Sequence, residues 1–244
     1  MKLTVLGKYG PYPAAGGACS GYLAEQDGTR VLVDCGSGVL SRLQQICNIQ
    51  DLSGIVLSHL HSDHMADMLI LRYALEIGKA RGIINIESIP VYLPNAPADI
   101  YGLVTSSPVF RPVIIQDGLQ ADIGEISFTF REMSHPVQSF AMAVEHSGGK
   151  LVYTGDTNMN TRIGDFSKGA DYLVADTGLL EKDKTDQAAH LTADEVGRIA
   201  ADAGVKNLIL SHIWPGYAEQ DIINEAALHY SSPIMAEEMK TYIL

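Results

Sequence analysis

The stretch Ser58-His59-Leu60-His61-Ser62-Asp63-His64 places three histidines and an aspartate within six positions, an HxHxDH cluster. At ordinary residue frequencies such a match arises by chance in roughly one protein in ten thousand. It follows a short apolar run, Gly54 to Ser58 (GIVLS). It precedes Met65 to Lys79, where Met68, Leu69, Leu71, Leu75 and Ile77 recur at helical spacing. A strand therefore feeds a loop that feeds a helix, the place where a rigid scaffold presents functional groups. Imidazoles and a carboxylate at this spacing suit Zn²⁺ or another borderline divalent ion. The bland alternative is a histidine-rich solvated loop.

Four ligands in one loop leave two neighbouring metals short of partners, and further candidates stand just after strand-like runs. His135 follows Ile126 to Arg131, in Ser-His-Pro. Asp156 follows Leu151 to Thr154, in Thr154-Gly155-Asp156-Thr157, and His212 follows Leu208 to Leu210, in Leu-Ser-His. Singly, each is a weak signal, since a lone His or Asp at a strand end is more often a cap or a satisfied polar group. Their order behind HxHxDH is what makes them a set.

Around these motifs the first third reads as strands, Leu3 to Leu6, Gly21 to Glu25 and Arg30 to Asp34, then a helix with Val39, Leu40, Leu43 and Ile46 on one face. Gly7 to Gly21 lacks the spacing of a P-loop or a GxGxxG turn and reads as a mobile loop. The Pro-rich middle, Ile89 to Pro112, reads as strand fragments and loops. Alternation returns over Ile123 to Arg131, Phe140 to His146 and Leu151 to Thr154, and Tyr172 to Ala175 resembles a buried strand. Thr192 with Glu195 three residues on forms a capping box for a helix that Gly204 ends. Lys206 to Ser211 is a strand and Glu219 to Tyr230 a final amphipathic helix. Strands recur in both halves, each half closes with helices, and no composition break divides residues 1–244. One α/β or α+β domain with sheets packed together and helices outside is expected.

Composition narrows the function classes. Of 244 residues 46% are hydrophobic, and 29 acidic against 17 basic residues give a net charge of −12, which disfavours disorder and a large nucleic-acid partner. No GxSxG elbow supports a serine hydrolase. No segment is apolar enough to span a membrane. The run opening MKLTVLGKYG is too short for a signal-peptide core, and Cys19, Cys35 and Cys47 form no CxxC pair. A reduced, cytoplasmic setting is expected, with Cys35 a small buried thiol.

On HxHxDH, His135, Gly155-Asp156-Thr157 and His212, together with Asp34 in Val33-Asp34-Cys35-Gly36, the sequence resembles the metallo-β-lactamase fold superfamily over most of its length. The resemblance implies a four-layer αββα sandwich with the site at one sheet edge. It also implies one metal on His59, His61 and His135, a second on Asp63, His64 and His212, and Asp156 bridging the two. Zinc is the first expectation for these two divalent ions, with manganese or iron as alternatives.

The branch follows from departures. The lactamase branch often has Cys where Asp156 stands, and flavodiiron-type members replace the residue at His61 with Glu. Glyoxalase-II-like members carry a further C-terminal helical region, whereas 32 residues follow His212. His135-Pro-Val-Gln-Ser139 and Ala189-His190-Leu191-Thr192 resemble the ribonuclease Z-like phosphodiesterase branch. Its tRNA-grasping arm falls between His135 and Asp156, where only 20 residues stand. Ser20-Gly-Tyr, Asp34-Cys-Gly-Ser-Gly and His190-Leu-Thr look most like arm-less relatives of the atypical class II cyclic-nucleotide phosphodiesterases.

The expected activity is metal-dependent hydrolysis of a small phosphodiester, a nucleotide or cyclic nucleotide, by a metal-bridging hydroxide. Asp63 would ligate and orient the nucleophile, and His190 would be the general acid, the alternative being a residue that merely precedes the Thr192 cap. Asp176 is expected to orient His190 or a metal-bound histidine. Ser139 reads as a phosphate contact or an ordinary strand hydroxyl, Asp67 as solvated, and His146 and His229 as surface or packing residues. Competing readings are a lactone or thioester hydrolase, a short-RNA nuclease, and a non-catalytic metal-binding module. A homodimer is the commonest soluble assembly and stands as an open expectation.

Overall fold

The computed structural model describes residues 1–244 apart from the side chain of Thr161. Period-two alternation of apolar residues with both faces buried builds two seven-stranded sheets. The first holds β1 (Lys2–Gly7), β2 (Gly21–Gln26), β3 (Thr29–Val33), β4 (Gly54–Val56), β5 (Ile89–Leu93) and β6 (Phe110–Ile114) side by side in that order. The second runs through β7 (Gln120–Ile123), β8 (Ile126–Met133), β9 (Ser139–His146), β10 (Gly149–Tyr153), β11 (Tyr172–Asp176), β12 (Asn207–Ser211) and β13 (Ile234–Met235). The last strand, β14 (Thr241–Ile243), returns to the first sheet and pairs antiparallel with β1. Each sheet begins with antiparallel hairpins and continues with parallel strands, β3 to β6 in one and β10 to β13 in the other.

The parallel connections require crossovers, and helices supply most of them. Helices α1 (Val39–Leu43), α2 (Ser62–Ala80) and α3 (Ala98–Thr105) belong to the first half of the chain, and α4 (Thr161–Phe166), α5 (Ala193–Asp202) and α6 (Glu219–Ala226) to the second. Neighbouring residues of one strand serve different interfaces. Val31 and Val33 pack between the sheets while Leu32 faces the helices of the first half. Ile209 packs between the sheets while Leu208 and Leu210 face the helices of the second. Three apolar layers therefore separate four layers of structure, the αββα sandwich. Phe128, Phe130 and Phe140 fill the middle layer fully buried, and truncating one to Ala costs about 3–5 kcal/mol.

Several elements depart from the sequence reading. The Pro-rich middle contains α3, because Pro97 is its N-cap residue and Pro108 lies beyond its end, so the prolines flank the helix instead of interrupting it. The run Ile123 to Arg131 is a hairpin, β7 and β8, turning at Gly124-Glu125. Helix α1 stops at Leu43 and leaves Ile46 exposed, and α6 stops at Ala226. Strands β13 and β14 are two and three residues long, too short to show a period. The expected Thr192–Glu195 capping box is present at α5. Among the described residues no helix is long and apolar enough to cross a membrane.

Candidate metal centre

Parallel strands deliver the polar residues at their C-terminal ends, β3 to Asp34, β4 to His59, β10 to Asp156, β11 to Asp176 and β12 to His212. Asp34 is fully buried and ties the two sheets together. It accepts hydrogen bonds from Ser58 N (2.7 Å), Ser58 Oγ (2.8 Å) and Tyr153 OH (2.8 Å). His64 Nδ1 lies 2.8 Å from Asp34 Oδ2, and an ionised carboxylate only accepts, so Nδ1 carries a proton and Nε2 is the nitrogen left to face the centre. Tyr22 OH and Ser211 Oγ share a further bond across the sheets at 2.6 Å, and Phe140 N donates to Ser58 O at 3.0 Å.

Backbone strain accumulates at the same edge. Asp34 (φ 55°) and His212 (φ 53°) occupy the left-handed region, a conformation costing roughly 1–3 kcal/mol for a non-glycine residue. Gly155 (φ 56°) precedes Asp156 in the same region, and a Cβ there would meet Phe140 O at 2.8 Å. Only glycine admits the turn that aims Asp156 inward.

The side chains converge in two groups. Donor atoms of His59, His61, His135 and Asp156 lie within 4.8 Å of one another, as do those of Asp63, His64, Asp156 and His212. All seven residues expected as ligands lie in these groups, and Asp156 belongs to both. A third grouping, Asp156, Asp176, His190 and His212, adjoins them.

In the first group His135 Nδ1 donates to Ala189 O at 3.1 Å, which leaves its Nε2 as a lone pair 3.1 Å from His61 Nδ1. His59 Nε2 also lies 3.1 Å from His61 Nδ1. One proton on His61 cannot serve both partners well, so the three nitrogens crowd a space that a cation satisfies. Burial pushes His59 well below the ordinary histidine range, and it lowers His61 and His135 as well. All three therefore favour the neutral form that ligates metal.

The second group is rich in negative charge. Burial opposes ionisation of Asp156, but His212, His64 and His59 hold its carboxyl well below the usual range. Burial likewise opposes charge on His64 and His212, yet Asp156 with Asp34 or Asp176 raises both well above the ordinary value. His64 Nε2 and Asp156 Oδ1 lie 3.2 Å apart, yet both are buried without a hydrogen-bond partner. Two orphaned atoms, one a nitrogen and one a carboxylate oxygen, point at shared space. With the crowded imidazoles, this donor set fits a pair of divalent cations.

His190 stands at the rim. Its ring stacks on His212 at 5.0 Å between centroids, its Nδ1 lies 3.0 Å from Asp176 Oδ2, and its side chain is 28% exposed. Asp176 is buried, accepts from Thr157 N (3.2 Å) and Gly178 N (3.0 Å), and lies 3.3 Å from His212 Nδ1. It contacts both histidines at once. Burial alone would lower the His190 pKa, but the Asp176 carboxylate outweighs it and the value is raised.

The remaining residues singled out in the sequence serve the framework around the centre or lie outside it. Ser139 matches the second of its two expected readings, a strand hydroxyl: it is buried at the start of β9, donates to Asp156 O at 2.9 Å and fixes the Gly155-Asp156 turn. Asp67 is not simply solvated. It is half-buried and accepts from Gly38 N (3.0 Å) and Leu40 N (2.9 Å), serving the exposed donors at the start of α1. His146 bonds Glu125 O at 2.7 Å and His229 bonds Asp194 at 2.8 Å, both outside the centre. The Gly7 to Gly21 segment is a loop, but the Arg42 guanidinium donates to Leu6 O (2.8 Å) and Gly16 O (2.7 Å) and ties it down. Within it Gly10 abuts the centre, since a Cβ there would fall 2.0 Å from His212 Nε2. Neither Gly10 nor Tyr153 carries a signal in its local sequence.

Paired His/Asp groups at the edge of an αββα sandwich define the metallo-hydrolases of the metallo-β-lactamase fold. A family model described as "Beta-lactamase superfamily domain" matches residues 29–213, and the chain belongs to that superfamily. It is 34% identical over 227 residues to the "Probable metallo-hydrolase YhfI" of Bacillus subtilis, covering 93% of this chain and 92% of the relative. The crystal structure of the B. subtilis YhfI protein superposes with a TM-score of 0.94 at 31% identity, covering 99% of this chain and 98% of that one. A "Ribonuclease Z" of Brevibacillus brevis is 28% identical over 257 residues, covering 80% of this chain and 79% of the relative. The short form of human tRNase Z shares the fold, with a TM-score of 0.77 at 19% identity, covering 100% of this chain and 99% of that one.

Proposed function

We propose that this metallo-hydrolase is a phosphodiesterase acting on a small nucleotide or cyclic nucleotide, with zinc as the first expectation for its two metals. The observation that carries the reading is His190, held by Asp176 against the junction of the two ligand groups and opening onto a cavity of about 460 Å³. Asn158, Met159, Lys184 and Thr185 help to line that cavity, whose size is that of a small-molecule site. The similarity to ribonuclease Z supports phosphodiester chemistry. Against a tRNA substrate stand the net charge of −12 and the turn at Ser147-Gly148, which closes the β9–β10 hairpin directly.

When bound, divalent ions at such a centre bring the pKa of water toward neutrality and offset the charge of phosphoryl oxygens. The protein's own share is orientation and proton transfer. Asp34 fixes the His64 tautomer, Ser139 fixes the Asp156 turn, and Asp176 stands 3.3 Å from His212 Nδ1. Asp176 keeps His190 Nδ1 hydrogen-bonded, so Nε2 is the nitrogen free to give a proton to a departing alkoxide. A leaving group as basic as a sugar hydroxyl needs that proton.

The test is hydrolysis of bis(p-nitrophenyl) phosphate and cyclic mononucleotides by protein loaded with defined metals. His64→Ala combined with Asp156→Ala should abolish turnover. His190→Ala should slow cyclic-nucleotide cleavage with metal content intact. Turnover of lactones or thioesters with none of phosphodiesters would overturn the reading.

A further inference from the structure

The chain's only tryptophan lies two residues beyond His212. Lys8 to Gly10 runs alongside Ile213, with Ile213 N donating to Lys8 O at 2.9 Å and Gly10 N to Ile213 O at 3.2 Å. Tyr9 and Ile213 pair in parallel and both pack on the core beneath α4, α5 and α6. Gly10 and Trp214 each directly follow a member of that pair, and the Trp214 indole meets Tyr12, two residues past Gly10. Gly10 abuts the His212 ring, so the segment that carries Tyr12 passes beside the metal centre. Two peptide units separate Trp214 from His212, so their Cα atoms lie within about 7–8 Å of each other.

The indole is held yet open. Trp214 Nε1 donates to Tyr12 OH at 3.2 Å, and the Tyr217 ring meets it edge-on at 4.9 Å between centroids. Trp214 nonetheless keeps 40% of its surface in solvent, and Tyr12 keeps 52%. Braced aromatic rings left in water beside a polar centre add little to the core, and they offer a flat apolar face to a planar ligand.

We propose that Trp214, braced by Tyr12, is the stacking surface for the base of a nucleotide whose phosphate enters the His/Asp centre. This rests on the phosphodiesterase reading above and narrows it to substrates carrying an aromatic base. Stacking discriminates a nucleotide from a sugar phosphate but tolerates every base, because each has a π-face. The platform therefore selects nucleotides as a class without choosing among bases.

A sole tryptophan makes its own emission the reporter. AMP should quench the fluorescence of the metal-loaded protein saturably, while ribose 5-phosphate, which lacks the base, should fail to do so at about tenfold higher concentration. Trp214→Ala should raise KM for cyclic AMP by about tenfold or more, with the loss falling on KM and not on kcat, and Trp214→Phe should recover most of it. Equal quenching by AMP and ribose 5-phosphate would overturn the platform, as would an unmoved KM in Trp214→Ala. Quenching reads binding alone, so it decides the platform even if no phosphodiester is hydrolysed, a result that would bring down only the activity reading. Hydrolysis of cyclic AMP with an unmoved KM in Trp214→Ala would do the reverse.

Discussion

Replacing Gly10 by alanine adds one methyl group and should disable the centre from outside the ligand set. The new carbon would lie 2.0 Å from His212 Nε2, 2.2 Å from Cε1 and 2.5 Å from Cδ2, whereas real Cβ contacts essentially never fall below 3.0 Å. A relief of at least about 1 Å is needed in a close-packed region, where even one methylene is felt. If the loop retreats, it stretches the 3.2 Å bond from Gly10 N to Ile213 O and the 2.9 Å bond from Ile213 N to Lys8 O. If the imidazole swings instead, its Nε2 leaves the donor group it shares with Asp63, and its Nδ1 leaves Asp176 at 3.3 Å. Loss of such orienting partners lowers metal affinity by about 10- to 100-fold. Competition with a calibrated chelator should show one metal per chain weakened by that factor, with turnover falling in step. Gly102→Ala is the control, since nothing lies within 4 Å of its added carbon, and in the interior of α3 it should be neutral or slightly stabilising. Full metal content and activity in Gly10→Ala would refute the close approach.

Four further outcomes follow from the same contacts. Asp34→Asn keeps the shape but withdraws the carboxylate that fixes His64 Nδ1 at 2.8 Å, and chelator titration should find metal affinity lower by about 10- to 100-fold. Asp176→Asn should shift the pH profile of kcat for cyclic nucleotides to lower pH, because His190 loses the carboxylate that raises its pKa; a profile that stays in place argues against the pair. Asp67→Ala strands Gly38 N and Leu40 N, and urea unfolding should register a loss of about 1–3 kcal/mol. Lys206 and Lys150 N hold the Asp171 carboxyl below its usual range. Its contribution is thus complete above an unfolded pKa of about 4 and disappears as pH falls through the lower native value. Asp171→Asn should therefore cost under about 1 kcal/mol at pH 6 and less at pH 3.

The site was legible where its residues are neighbours in sequence or end an apolar run. HxHxDH is contiguous, and His135, Asp156 and His212 each stand just past a strand whose apolar run is easy to read. Contacts made across the sandwich left no local trace. Tyr153 is one more apolar position in a strand pattern, yet its hydroxyl holds Asp34. Ser139 and Asp67 show the same limit, because a hydroxyl or carboxylate does not reveal which backbone atom it will meet. In the fold, long periodic elements such as α2 were readable. α3 was hidden because proline counts suggested interruption, while the positions of Pro97 and Pro108 made them boundaries.

The bonds that cross between the sheets at Asp34, Tyr153, Tyr22 and Ser211 bear on how the chain reaches its final form. Apolar packing in the middle layer is non-directional and accepts a slide of an ångström or so between the sheets at modest cost. Buried polar atoms do not, since a small offset leaves each of them desolvated and unpaired. One edge of the sandwich thus acts as an alignment pin for the other three. Collapse can bring the halves together in many near-equivalent dockings, and only the docking that pairs these atoms also brings His59 and His64 against Asp156 and His212. Capacity to bind metal should therefore appear in the last, slow phase of refolding, after the burial of the phenylalanines in the middle layer.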